Sequence, residues 1–204
     1  MYMTRIMLKR VPPPNIIHGI VAAAFPGQRN DKTNESLWRI DKLGDDRALI
    51  IVSTSCPDQR RIVDEIGANR FGVENDRNKT LDYRPFLGRI ENDQTWNFRL
   101  CANPVEHKKQ KPDDKRGKIF ALRFLPEQLE WLDRQGRKRG FIVKGCDVIG
   151  DEWKVFNKVR IRAITFDGLL SITDAEAFRV ALANGIGRGK AYGCGLLTIA
   201  RVQV

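Results

Sequence analysis

The order of strand and helix patterns along the 204 residues constrains the fold more than any other feature of the sequence. Residues 2–8 have the two-residue alternation of a β-strand. Pro12-Pro13-Pro14 ends this strand and leads into a helix predicted over about 15–24. The apolar face of that helix consists of Ile16, Ile17, Ile20, Val21 and Ala24. The chain therefore begins with a strand followed by an amphipathic helix.

The next residues continue this order with a hairpin, a helix and a strand. Strand patterns over 37–43 and 48–53 predict a hairpin that turns at Gly44-Asp45. Ser55-Cys56-Pro57 opens a second helix, which is expected to turn Ile62, Val63 and Ile66 inward. Residues 71–80 are polar and predict a mobile loop, and a strand is predicted over 81–90. The sum is β-α-β-β-α-β, the ferredoxin-like order.

The same order is predicted again after Asn92-Asp93, which divides the chain into units at 1–91 and 94–204. Residues 106–118 contain His107 and predict a flexible basic loop. The other expected elements are strands at 95–105, 141–148 and 153–164, a helix from Leu125, a helix over 174–184 that begins with a capping box at Thr173, and a strand over 196–202. We therefore predict an α+β protein of two tandem ferredoxin-like (RRM-like) modules.

The charge balance points to a polyanionic partner. Lys and Arg number 36 against 25 Asp and Glu, the net charge is +11, and the pI is near 9.8. Nucleic acid is the usual partner of such a chain, and no basic amphipathic helix with a bulky apolar face favours a membrane. Four scattered cysteines without a C-x-x-C pair, and a start without an apolar signal region, predict a cytoplasmic protein.

Two histidines are candidates for acid–base chemistry near neutral pH. His18 lies on the predicted first helix, away from its apolar arc and beside the small residues Gly19 and Ala22. That face leaves room for a ligand, although a surface histidine without a role fits the pattern equally well. Asp45-Asp46 and Asp113-Asp114 lack a third ligand at useful spacing, so neither a metal nor another cofactor is expected.

Two groups of cations and one glycine run are candidates for RNA binding. Lys158, Arg160 and Arg162 alternate with apolar residues, which places three cations on one strand face. A second group, Arg134, Arg137, Lys138 and Arg139, lies at a helix end. The glycine run at 185–195 contains Gly187, Arg188, Gly189 and Lys190. It fits either a helix C-cap with a tight turn or a loop whose backbone approaches phosphate.

Several segments together resemble the CasE family. They are Phe166-Asp-Gly-Leu-Leu-Ser-Ile-Thr-Asp174, Gly185-Ile-Gly-Arg-Gly-Lys190, Gly193-Cys-Gly-Leu-Leu197, Phe98-Arg-Leu-Cys-Ala-Asn-Pro104, Met1-Tyr2, and His18 seven residues before Phe25-Pro26. Members of this family are the repeat-cleaving endoribonucleases of type I-E CRISPR systems. The resemblance spans nearly the whole chain and also implies two tandem ferredoxin-like modules.

The resemblance implies a function and a mechanism. It implies that the protein binds the stem-loop of CRISPR repeat RNA and cleaves precursor crRNA at its base without a metal or other cofactor. The 2′-hydroxyl would attack, which leaves 5′-hydroxyl and 2′,3′-cyclic phosphate ends, and the product would stay bound in the Cascade complex. His18 matches the catalytic histidine of the family.

Two positions depart from the family pattern. Several members carry a tyrosine three residues before the histidine, where this chain has Asn15, so the group that assists the leaving oxygen is left open. Cys101 stands where some relatives carry arginine, and His107 is an alternative second catalytic histidine. A non-catalytic RRM-like RNA-binding protein of the same complex is the alternative function, although the chain lacks an RNP1-like aromatic motif.

Overall fold

A computed structural model of the chain describes residues 1–25, 36–68, 71–108, 117–156 and 159–202, with only the backbone described at 73–76. Two four-stranded antiparallel sheets form the frame of the molecule. In chain order the elements are β1 (Tyr2–Leu8), α1 (Pro14–Ala23), β2 (Leu37–Leu43), β3 (Asp46–Ser53), α2 (Gln59–Ala68), β4 (Val73–Asp82), α3 (Arg84–Leu87), β5 (Thr95–Ala102), β6 (Val105–Lys108), β7 (Lys118–Ala121), α4 (Leu125–Arg137), β8 (Phe141–Phe156), β9 (Val159–Ile172), α5 (Ala175–Asn184), the 3₁₀ turn η1 (Lys190–Tyr192) and β10 (Leu197–Arg201).

The strand orders confirm the predicted fold. The first sheet has the order β2-β3-β1-β4 and the second has the order β10-β5-β9-β8. In both sheets the second and fourth strands of the module flank its first and third strands, as the ferredoxin-like order requires. The short hairpin of β6 and β7 is inserted after the first strand of the second module.

The first module packs α1 and α2 against its sheet. Pro14 occupies the first turn of α1, where the missing N–H costs no helical hydrogen bond. Ile17, Ile20 and Val21 are buried, as their spacing predicted. Helix α2 buries Ile62 and Ile66. Because α1 is anchored by this apolar face, its opposite face is open to solvent.

The second module buries a larger aromatic core between its sheet and helices α4 and α5. Phe141, Phe166 and Phe178 are fully buried, and Phe141 packs edge-to-face on Phe178 at a centroid distance of 5.6 Å. The cap of α5 is Asp174, whose carboxylate accepts hydrogen bonds from the amides of Glu176 and Ala177. The predicted capping box at Thr173 is therefore wrong by one residue.

Three element predictions need correction. The strand expected at 81–90 is wrong, because β4 covers Val73–Asp82 and α3 follows it, with Pro85 in the first turn of α3. The loop expected at 106–118 is partly strand, since β6 pairs with β7, while residues 109–116 lie outside the described chain. The strand expected at 153–164 instead contributes to both arms of the β8–β9 hairpin. The corrected strands are fixed by pairing with a neighbouring strand, and residues 84–87 form a short helix.

Buried hydrogen bonds join the two modules. Arg39 on β2 is 3% exposed, and its guanidinium donates to the carbonyls of Arg99 and Leu196 and to Oγ1 of Thr198. Asp41 compensates its charge at 2.6 Å. This contact holds the first sheet against strands β5 and β10. The division into units at 1–91 and 94–204 stays a prediction.

Candidate RNA-binding and catalytic site

Helix α1 presents His18 on its open face. His18 and Asn15 are both exposed, and a Cβ added at the neighbouring Gly19 would meet nothing within 4 Å. Helix α1 also contacts η1 and β8 of the second module. The structure therefore brings the predicted catalytic histidine and the predicted glycine-rich segment onto adjoining elements, although they come from opposite ends of the chain.

The glycine-rich loop, residues 185–195, is closed by its own backbone. Its five glycines all have positive φ, between 74° and 93°. The amide of Ile186 donates to Gly195 O at 2.8 Å, and the amide of Gly195 donates to Cys101 O at 2.6 Å. L-residues rarely adopt such φ values, so the path of this loop depends on glycine.

The glycines also allow close packing with the rest of the protein. A Cβ at Gly187 would lie 3.1 Å from Cζ2 of Trp131, and one at Gly189 would lie 3.3 Å from Cδ1 of Ile161. Conformation and internal packing therefore account for both positions. Contact between these two glycines and RNA stays a prediction, whereas Arg188 is exposed and Lys190 begins η1.

Two buried thiols, one in the loop and one on β5, lie together. Cys101 is 3% exposed and Cys194 is fully buried. A hydrogen bond to Cys101, together with burial, raises the pKa of the Cys194 thiol. At the position where some CasE members carry arginine, this chain thus has a side chain packed inside the protein.

The cations of the predicted basic strand face differ in their exposure and in their ion pairs. The side chain of Arg160 is exposed, and its guanidinium lies 4.7 Å from the ring centroid of Trp153, within cation–π range. Arg162 forms a bidentate ion pair with Asp151, with a distance of 2.8 Å from Nε to Oδ1. This pairing lowers the pKa of Asp151. Lys158 lies outside the described residues. Of the two described cations, Arg160 alone has an uncompensated charge.

The helix-end cations are mostly engaged within α4. Arg134 pairs with Glu130 at 2.6 Å, Arg137 pairs with Asp133 at 2.8 Å, and Arg139 donates to the side chain of Gln135. Lys138 is exposed. Exposed i, i+4 pairs are weak, so a polyanion can compete for these arginines.

Sequence reasoning missed Trp153. It is 45% exposed on β8 and lines a cleft of about 480 Å³ between the two modules. The available signal was an aromatic residue in the same segment as the row of cations, and the structure pairs Trp153 with Arg162 across the hairpin.

Two features are absent from the described part of the chain. Among its side chains, no three His, Cys, Asp or Glu residues lie together as candidate metal ligands. Over the same residues, no helix has the length and apolar composition to cross a bilayer.

Fold and site together define a tandem ferredoxin-like protein with a histidine on an exposed helix face next to a basic hairpin. A family model described as CRISPR associated protein matches residues 1–201. The chain therefore belongs to that family, which agrees with the CasE resemblance.

Relatives support the same placement. The CRISPR-associated endoribonuclease Cse3 of Thermus thermophilus is 25% identical over 204 residues, covering 92% of this chain and 90% of the relative. The Cascade subunit CasE of Escherichia coli is 36% identical over 115 residues, covering 50% and 56%. A structure of T. thermophilus Cse3 bound to an RNA representing a pre-cleavage complex has a TM-score of 0.78 at 23% identity, covering 98% of this chain and 100% of that one, and it shows a shared fold.

Proposed function

We propose that the protein is an endoribonuclease that binds the stem-loop of CRISPR repeat RNA and cleaves precursor crRNA at the base of the stem. The observation that carries the proposal is the position of His18, which is exposed on α1 where this helix meets η1 and β8. Membership of the CRISPR associated protein family and a full-length relative named an endoribonuclease support it.

The proposed chemistry needs only the RNA and the protein. His18 takes the proton of the 2′-hydroxyl, and the resulting oxygen attacks the adjacent phosphorus. The bond from phosphorus to the 5′-oxygen breaks, and that oxygen takes a proton from water to become a hydroxyl, while His18 returns the proton it accepted to solvent. The products are a 2′,3′-cyclic phosphate and a 5′-hydroxyl end, with no metal or cofactor taking part. Asn15 cannot supply a proton as an acid, so a nearby lysine or arginine would stabilise the charge on the leaving oxygen.

The proposed RNA-binding surface combines the two basic groups with the glycine-rich loop. Among the described residues, Lys138, Arg160 and Arg188 are exposed and form no ion pair with a carboxylate, so their charges are available to phosphate. The full proposed set is Arg134, Arg137, Lys138, Arg139, Lys158, Arg160, Arg162, Gly187, Arg188, Gly189 and Lys190. Such contacts to phosphate provide affinity and depend on salt.

The product is proposed to stay bound as part of Cascade. A relative named a Cascade subunit supports this assembly. The four free cysteines agree with a cytoplasmic site of action.

The test is cleavage of the cognate repeat in EDTA. Full cleavage is expected, and a single 2′-deoxy nucleotide at the scissile position should abolish it. Cleavage of the deoxy RNA, or a requirement for Mg²⁺, would refute the mechanism. Tight binding of the repeat without cleavage would instead establish the non-catalytic RNA-binding alternative, which the asparagine at position 15 favours.

A further inference from the structure

A cleft between the modules has the composition of a nucleotide site. Its volume is about 480 Å³, and its walls include Pro14, Trp38, Lys42, Arg47, Trp153 and Lys154. The residues come from the start of α1, the β2–β3 hairpin and β8. None of them belongs to the RNA-binding surface proposed above.

The aromatic wall of the cleft is Trp153. Arg160 lies over its indole at 4.7 Å from the centroid, yet 45% of the residue remains exposed. An exposed indole held by a cation on one side can stack a base on its free surface, and such stacking is tolerant of sequence. Val155, two residues further along β8, is 60% exposed and also borders the cleft.

The β2–β3 side of the cleft carries positive charge that no carboxylate of the described residues pairs with. Among the described residues, the guanidinium of Arg47 donates to the backbone carbonyls of Asp45 and Asp46, at 3.2 and 3.0 Å, and to no carboxylate. Lys42 is exposed and forms no ion pair within the described chain. Glu152 is the acidic residue in the cleft, and it pairs with Lys154 at 3.4 Å. The cleft is therefore cationic overall, which suits a phosphate.

Trp38 forms part of the cleft wall from within the core. It is 2% exposed, and its Nε1 has no acceptor among the residues that the structure describes. The Cε3–Cζ3 edge of its ring faces Gly193, so Nε1 lies on the edge that points away from the glycine-rich loop. Because Nε1 is itself buried, it is not offered to a ligand, and Trp38 contributes packed aromatic surface to the wall of the cleft.

The cleft lies next to the proposed catalytic group. Pro14 and His18 are four residues apart on α1, so they share a helix face about 5–6 Å apart. A nucleotide in the cleft would thus lie within one helical turn of His18.

We propose that this cleft binds an unpaired nucleotide that adjoins the base of the RNA stem, with its base stacked on Trp153 and its phosphate held by Lys42 and Arg47. This rests on the proposed function, because it assigns a subsite for the same RNA. It makes Trp153 a positioning residue, which orients the strand that passes His18.

The test compares three non-cleavable 2′-deoxy RNAs: the stem-loop alone, and the stem-loop with two unpaired nucleotides on its 5′ or its 3′ side. For the parent protein, one of the two extensions should tighten Kd by roughly 5- to 150-fold, the worth of one base stacked on an aromatic side chain. This gain should disappear in Trp153→Ala and persist in Trp153→Phe. A 2-aminopurine in the extension should be quenched on binding to the parent and not to Trp153→Ala.

The matched control is Lys138→Ala, an exposed cation of the proposed RNA-binding surface outside the cleft, which should weaken all three RNAs by the same factor. The nucleotide site would be refuted if neither extension tightens binding, or if an extension tightens it by the same factor in the parent and in Trp153→Ala. Either result would favour a protein partner as the occupant of the cleft. A parent protein that fails to bind the stem-loop itself would refute the proposed function. The two failures are therefore distinguishable.

Discussion

Gly193→Ala should destabilise the protein through two separate effects. Gly193 has a φ of 78°, a left-handed conformation that costs an L-residue about 1–2 kcal/mol. Its new Cβ would also lie 2.6 Å from Cζ3 of Trp38, a buried ring that cannot move freely. Overpacking of this kind costs about 1–3 kcal/mol, so the free energy of unfolding should fall by roughly 2–5 kcal/mol in total.

Two other glycines separate these effects in urea denaturation. Gly44 has a φ of 64° with open space around it, so Gly44→Ala should lose only the conformational part, about 1–2 kcal/mol. Gly19 on α1 has open space and a helical backbone, so Gly19→Ala should gain about 0.5–1 kcal/mol. If Gly193→Ala is no less stable than Gly44→Ala, the packing of the glycine-rich loop on Trp38 contributes nothing and the argument is wrong.

Three further predictions concern the RNA. His18→Ala should lower the rate of single-turnover cleavage by about 10² to 10⁴-fold, with the melting temperature and RNA affinity nearly unchanged. His107→Ala should retain activity, and the reverse result would assign the chemistry to His107. Arg160→Ala should lower the slope of log K for RNA binding against log salt by about 0.7–0.9. Arg162→Ala should lower it by less, because Asp151 compensates the charge of Arg162, and equal changes in the two variants would contradict this difference. Asp151→Asn should release Arg162 and tighten RNA binding at low salt, and a weaker complex would mean that the ion pair positions the hairpin.

Local patterns in the sequence were sufficient for most of the frame. The apolar spacing of Ile17, Ile20 and Val21 predicted the buried face of α1, and the turn at Gly44-Asp45 was predicted between β2 and β3. Both follow from the periods of helices and strands, which depend on neighbouring residues only. The same rule left His18 on the exposed face. Polar segments such as β4 were mispredicted, because their strand structure comes from pairing with β1 and not from their own apolar pattern.

The arrangement of the site depends on contacts between distant residues. The order of β-α-β-β-α-β patterns determined two ferredoxin-like modules, and the charge of +11 favoured a polyanionic partner. Only the tertiary structure placed α1 against η1, paired Arg162 with Asp151, and opened a cleft between Trp153 and Arg47. Periodicity reports which face of an element is buried, but it carries no information about which other element covers or borders that face. That choice is made by packing between modules, such as the bonds of Arg39 to Arg99 and Leu196, and it appears only in three dimensions.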